Sequence, residues 1–140
     1  MNSRRLLTTL QRHEGLRLKP YTDTAGVLTI GYGHNLADGI DEEMANYILR
    51  RDLLEAQYAA AHAVRCFHRL DDVRQEALVN MAFNLGGPRL AKFKRMLAAL
   101  EAQDWDQAAA EALDSKWATQ VGARAKEIAE QLRTGTVNHD

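Results

Sequence analysis

Apolar residues recur at two distinct periods along this chain, and the switch between them organises the reading. Leu6, Leu7 and Leu10 have helical spacing behind Ser3, a predicted N-cap, and the helix should stop at Glu14-Gly15, where glycine can take the left-handed C-terminal conformation. Residues 16–34 have β character instead: Leu18, Tyr21, Val27, Leu28, Thr29, Ile30 and Tyr32, with Thr24-Ala25-Gly26 as a turn between strands. Gly31 and Gly33 flank Tyr32, which predicts a sharp bend or a close backbone approach rather than a plain strand.

From Asp41 the period is helical to the end. Asp41 is a predicted N-cap, with Ile40 and Ala45 as a hydrophobic staple, and Met44, Tyr47, Ile48, Leu49, Leu53 and Leu54 form the apolar face of a helix reaching about His62. A second helix starts near Asp71, carries Val73, Ala77, Leu78, Met81, Ala82 and Leu85, and ends at Gly86-Gly87-Pro88. One helix over Leu90–Leu100 follows. Asp104 with Gln107 resembles a capping box for the next, residues 115–121 form a short turn or helix, and Ala123–Leu132 is the last helix, before Gly135. Met44, Met81, Met96, Trp105 and Trp117 are expected in the core. The layout is α+β, with the β part segregated near the N-terminus.

Length and composition narrow the class. One compact domain fits 140 residues, and 46% hydrophobic residues argue against disorder. With 18 Lys+Arg against 19 Asp+Glu there is no global basic footprint, which argues against a nucleic-acid partner. The single cysteine, Cys66, has no partner for an internal disulfide and reads as a small buried apolar side chain. The basic start Met1-Asn2-Ser3-Arg4-Arg5 is followed by Thr8, Thr9, Gln11, Arg12 and His13 rather than an apolar run, so neither a secretory signal nor membrane insertion is expected. His62, His68 and His139 have no ligand spacing, and no metal or other cofactor is expected.

The unusual chemistry sits between Glu14 and His34. Glu14 falls at a helix C-terminus, and Asp23 follows nine residues later at a strand-to-turn position. Two carboxylates on different elements are what glycoside hydrolysis needs, one protonated for the leaving oxygen and one on the other side of the sugar. Spacing alone is weak support, because most such pairs are solvated surface groups.

The neighbouring residues supply more. Glu14-Gly15-Leu16-Arg17-Leu18, then Tyr21, Asp23, Thr24, Gly26, Thr29-Ile30-Gly31 and Gly33-His34 resemble the T-even phage lysozyme family, glycoside hydrolase family twenty-four. The resemblance continues through Asn80-Met81, Phe83, Ser115, Trp117, Gln120 and Arg124-Ala125-Lys126 to Arg133-Thr134-Gly135-Thr136, in order over nearly the whole chain.

The family resemblance implies a two-lobed lysozyme fold: a small β-hairpin lobe over about 14–40, a bridging helix over about 41–62, and a helical lobe made of 1–13 plus about 63–140. It implies a muramidase that cleaves the β-1,4 bond between N-acetylmuramic acid and N-acetylglucosamine with inversion. Glu14 would be the general acid, Asp23 the second carboxylate, and Thr29 a holder of the attacking water. Inversion needs room for that water, hence a Glu14–Asp23 carboxyl separation of roughly 6.5–9.5 Å. Arg124 matches the arginine that orients the acid. A helix C-terminus and partial burial both favour the protonated carboxyl, and a neighbouring cation opposes them. His34 and Asp52 match a structural ion pair, which is favoured over a catalytic histidine. Tyr32 and Asn84 are expected to contact sugar, although Tyr32 reads nearly as well as a hairpin aromatic packed on its own sheet. The implied setting is a monomeric phage endolysin, made in the host cytoplasm and let through the membrane by a holin-type partner to reach peptidoglycan in the periplasm.

Two departures qualify the match. The small lobe is abbreviated between Gly33 and Asp41, and the charge is nearly neutral where many members are basic. Arg50, Arg51, Lys92, Lys94 and Arg95 are local groups that can meet an anionic wall, but they read first as solvated helix faces. A lytic transglycosylase needs a single acid/base glutamate and leaves 1,6-anhydro ends; Asp23 and Thr29 favour the hydrolase instead. A wall-binding module needs none of the three, and a helical DNA-binding protein fits neither the charge nor the β segment.

Overall fold

The computed structural model describes residues 1–137, so His139 lies outside the described residues. By its contacts the chain divides into two compact units, Met1–Tyr47 and Ile48–Asp140. The described residues form eight helices and one small sheet, the α+β layout that the patterning predicts.

In the first unit, α1 (Ser3–Glu14) is capped one residue earlier than predicted. The Asn2 side chain, rather than Ser3, accepts from the Arg5 N–H, because Asn2 is the residue with extended backbone and Ser3 is already helical. Gly15 ends the helix with φ 71° and ψ 155°. Its φ is positive, as glycine permits, but the chain leaves in an extended direction instead of the left-handed helical one expected. That exit launches β1 (Arg17–Thr22), which pairs antiparallel with β2 (Leu28–Gly31), itself paired with β3 (His34–Asn35). The order is β1-β2-β3, and Pro20 is tolerated on the edge strand β1, within the irregular stretch between Arg17 and Tyr21. A 3-10 turn, Leu36–Asp38, leads to α2 (Glu42–Ala63), where the Asp41 carboxylate caps the Met44 N–H as predicted.

The second unit carries the hydrophobic core. After a 3-10 turn at Phe67–Arg69 come α3 (Asp72–Leu85), α4 (Gly87–Ala91), α5 (Lys94–Glu101), α6 (Trp105–Leu113), α7 (Lys116–Val121) and α8 (Ala123–Thr134). Val64, Leu78, Met81, Leu90, Met96, Leu100, Ile128 and Leu132 are its largest fully buried side chains. Each larger one contributes about 1.5–3 kcal/mol by leaving water. Trp117 is buried with them and Trp105 packs against the cluster. Cys66 is buried as expected, and that burial, with Glu101 nearby, pushes its thiol above the usual range.

Three expectations change here. The predicted single helix Leu90–Leu100 is two, because the chain turns at Lys92-Phe93 to bring both Leu90 and Met96 into the core. The Asp104–Gln107 capping box is half formed. Asp104 accepts from the Gln107 N–H, but the Gln107 amide reaches forward to Glu111 rather than back. The face of α2 that is buried is Ala56 and Ala60, not the Met44-to-Leu54 series, because small residues let this helix approach the core closely while Met44 stays exposed on its first turn.

Candidate active site

Five of the proposed site residues, Glu14, Asp23, Thr29, Tyr32 and His34, belong to the first unit. Glu14 is the last residue of α1, and its carboxyl lies against the backbone of Gly33. A Cβ built at Gly33 would stand 2.6 Å from Glu14 Oε2. The turn after β2 therefore meets the end of α1 at the carboxyl itself. Gly31 and Gly33 have φ of 70° and 76°, the bend that the glycines around Tyr32 predict. Tyr32 sits between them with 46% of its surface exposed.

Asp23 opens the loop between β1 and β2. Its Oδ1 accepts from the N–H groups of Ala25 at 2.9 Å and Val27 at 2.8 Å, while its own N–H donates to the Val27 carbonyl at 2.9 Å. Asp23 is thus folded into its own turn, the local hydrogen bonding that Asp favours at such positions. Oδ2 has no part in these bonds. Thr29 is buried in the middle of β2, opposite Tyr21 on one side and Asn35 on the other. Its hydroxyl donates to the Val27 carbonyl at 2.8 Å. Val27 therefore holds both side chains through one residue's backbone, with its N–H on Asp23 and its carbonyl on Thr29. With its proton committed, the Thr29 oxygen is left as an acceptor, and so is Asp23 Oδ2. Two acceptors on one hairpin are suited to the two hydrogens of a water molecule. His34, on β3, places Nε2 2.8 Å from the Gly39 carbonyl, which closes the short loop before α2.

The remaining proposed residues belong to the second unit. Arg124, on α8, donates to the Asn80 side chain at 2.7 and 3.0 Å and to the Asn80 carbonyl at 3.3 Å. Both residues line a groove of about 690 Å³ walled by Phe83, Val79 and Leu53. Asn80 carries this arginine, a role that no spacing in the sequence announces. Asn84 accepts from the Trp117 indole N–H at 2.8 Å through Oδ1, which satisfies the buried indole and leaves the Asn84 amide nitrogen as a donor. Asp52 lies on α2. Lys92, Lys94 and Arg95 line another groove of about 670 Å³, joined there by Arg89 and Lys116, which patterning did not single out.

No described helix is long and apolar enough to cross a membrane. The family model described as phage lysozyme matches residues 11–133. Among curated proteins, the chain is 32% identical over 157 residues to Pre-baseplate central spike protein Gp5 of Enterobacteria phage T4, covering 91% of this chain but 27% of that protein. It is 28% identical over 158 residues to Probable T4-type lysozyme 2 of Dictyostelium discoideum, covering 91% of this chain and 93% of that one. It is 35% identical over 115 residues to an endolysin of Acyrthosiphon pisum secondary endosymbiont phage 1, covering 79% and 75%. The chain thus spans about a quarter of the spike protein and nearly all of the Dictyostelium one. A match that runs from the end of α1 to the end of α8 takes in all three carboxyl and hydroxyl groups described above, and the chain belongs to the phage lysozyme family of peptidoglycan-hydrolysing enzymes.

Proposed function

We propose that this lysozyme cleaves the β-1,4 bond between N-acetylmuramic acid and N-acetylglucosamine with inversion, using Glu14 as general acid, Asp23 as general base and Thr29 as the second hold on the attacking water. The observation that carries this reading is the shared Val27 anchor. It fixes Asp23 and Thr29 together and leaves one acceptor on each. In the reaction Glu14 gives its proton to the leaving glycosidic oxygen. Water, held by the Thr29 oxygen and Asp23 Oδ2, loses a proton to Asp23 as it attacks the anomeric carbon from the opposite face. Inversion calls for a Glu14–Asp23 carboxyl separation of roughly 6.5–9.5 Å. In the working enzyme Arg124 orients Glu14, and Tyr32 and the Asn84 amide contact sugar. His34 is a stabilising residue whose Nδ1, with Nε2 on Gly39, is left for a pair with Asp52. We assign residues 14–40 to the small lobe, 41–62 to the bridging helix, and 1–13 with the remainder to the helical lobe.

The biological setting we propose is a monomeric endolysin, made in the host cytoplasm and admitted by a holin-type partner to peptidoglycan in the periplasm. The likeness to the T4 spike protein favours a second setting, a lysozyme carried on the virion. Digestion of purified peptidoglycan by wild type and Glu14→Gln, with products read by mass spectrometry, tests the chemistry. Reducing muramic ends from wild type and a loss of about 10²-fold or more in the variant are expected for removal of a general acid. Anhydro ends would make the enzyme a transglycosylase and return Asp23 to a structural role. Wall binding without cleavage would leave a binding module.

A further inference from the structure

We infer that Gly33 is a positioning residue for Glu14, and that the space left by its missing side chain is the slot in which the acid's carboxyl sits; this rests on the reading of Glu14 as the general acid. A Cβ at Gly33 would lie 2.6 Å from Oε2 and 3.1 Å from the carboxyl carbon of Glu14, and a separation under 3.0 Å is one that real Cβ atoms essentially never show. All three of the heavy atoms nearest that Cβ belong to Glu14. The contact is between a catalytic group and bare backbone, and it ties the end of α1 to the turn that follows β2.

Gly33 also has φ 76°, so a side chain there is strained whatever space it finds. Nearby Gly31 separates the two effects. Its φ is 70°, and nothing lies within 4 Å of a Cβ built on it. Strain is therefore common to both glycines, whereas crowding of Glu14 belongs to Gly33 alone. The crowded atoms are the free end of a long side chain, which can swing away at little cost to folding. The cost falls on the reaction, because an acid displaced by about 1 Å loses on the order of 10²-fold in rate.

The test compares Gly33→Ala with Gly31→Ala by thermal unfolding and by steady-state hydrolysis of peptidoglycan, with Glu14→Gln alongside. The melting temperatures of the two alanine variants should fall by similar amounts. Gly31→Ala should keep its kcat within a few-fold of wild type, whereas Gly33→Ala should lose about 10²-fold in kcat with KM little changed. Asn tolerates positive φ better than alanine does. Gly33→Asn therefore lessens the strain while keeping the Cβ, and it should lose kcat to the same extent even if Gly33→Ala fails to fold. Equal kcat in the position-33 and position-31 variants, with Glu14→Gln inactive, would overturn the positioning role and leave the acid assignment standing. An active Glu14→Gln would overturn both, and would be seen independently of the glycine variants.

Discussion

Arg74 shows how a single side chain can set a local geometry. It is 9% exposed, yet each of its guanidinium nitrogens has a partner: Nε on the Leu132 carbonyl, Nη2 on the Arg133 carbonyl and Nη1 on Asp71. The plane also lies 3.9 Å from the Trp105 ring centroid. One cation thus takes up two of the carbonyls that the end of α8 leaves unsatisfied, while its partner Asp71 caps α3. Burial alone would raise the Asp71 carboxyl, but the hydrogen bonds and charge of Arg74 and its backbone outweigh it and hold the group below its usual range. A carboxyl lowered on folding adds stability that is present above its unfolded value, near 3.9, and is lost as pH falls through the lower folded value. Asp71→Asn keeps a good capping residue through its one amide oxygen, and removes the charge together with the acceptor that takes the Arg74 Nη1 hydrogen bond. At neutral pH it should cost up to about 1 kcal/mol, since the Asp71 side chain is 42% exposed and solvent screens the pair. Urea unfolding from pH 7 downward should show that difference closing below about pH 4. A gap that persists at pH 2 would assign the effect to the cap rather than the charge.

At the scale of elements, the hairpin separates folding from chemistry. Asp23 closes the β1–β2 turn through Oδ1, and an asparagine offers the same oxygen to the same N–H groups. Asp23→Asn should therefore melt within about 0.5 kcal/mol of wild type, as substitutions that spare local structure do. Its hydrolysis should fall by about 10²-fold or more, the usual contribution of a general base. An unfolded variant would show that Asp23 is needed for the turn, and an active one would remove it from the mechanism. The same hairpin shows what sequence can convey. The β texture of residues 16–34, the turn at Thr24-Ala25-Gly26 and the bend at Gly31 and Gly33 are all local, and were readable because glycine and Asx chemistry act over a few residues. That Gly33 faces Glu14, nineteen residues away, is a tertiary fact; the glycine signalled a close approach without saying to what. The Arg124–Asn80 and Trp117–Asn84 bonds were hidden for the same reason. The break at Lys92-Phe93 escaped because neither residue is a helix breaker, and packing of Leu90 and Met96 imposes the turn.

The two units differ in what holds each together, and the difference bears on catalysis. Every member of the buried hydrophobic cluster lies between Ala56 and Leu132, within the second unit. The first unit has a three-stranded sheet, in which β3 is two residues long, and the one buried residue recorded there is the polar Thr29. Sheets so small depend on a few backbone hydrogen bonds and turns, and such regions open at a fraction of the free energy of global unfolding. Glu14, Asp23 and Thr29 all sit on this unit, so the β1–β2 hairpin belongs to the part with the smaller reserve of buried surface. Native-state hydrogen exchange in low denaturant should find the amides of Thr29 and Ile30 exchanging by local opening, while those of Leu78 and Ile128 wait for global unfolding. Added peptidoglycan fragments should slow the sheet amides selectively, because a ligand that binds only the closed hairpin stabilises it by mass action. If the β2 amides exchange only with the helical core, folding of the hairpin is tied to that of the whole chain, and substitutions such as Gly31→Ala should lower global stability by the full cost of their strain instead of loosening the sheet alone.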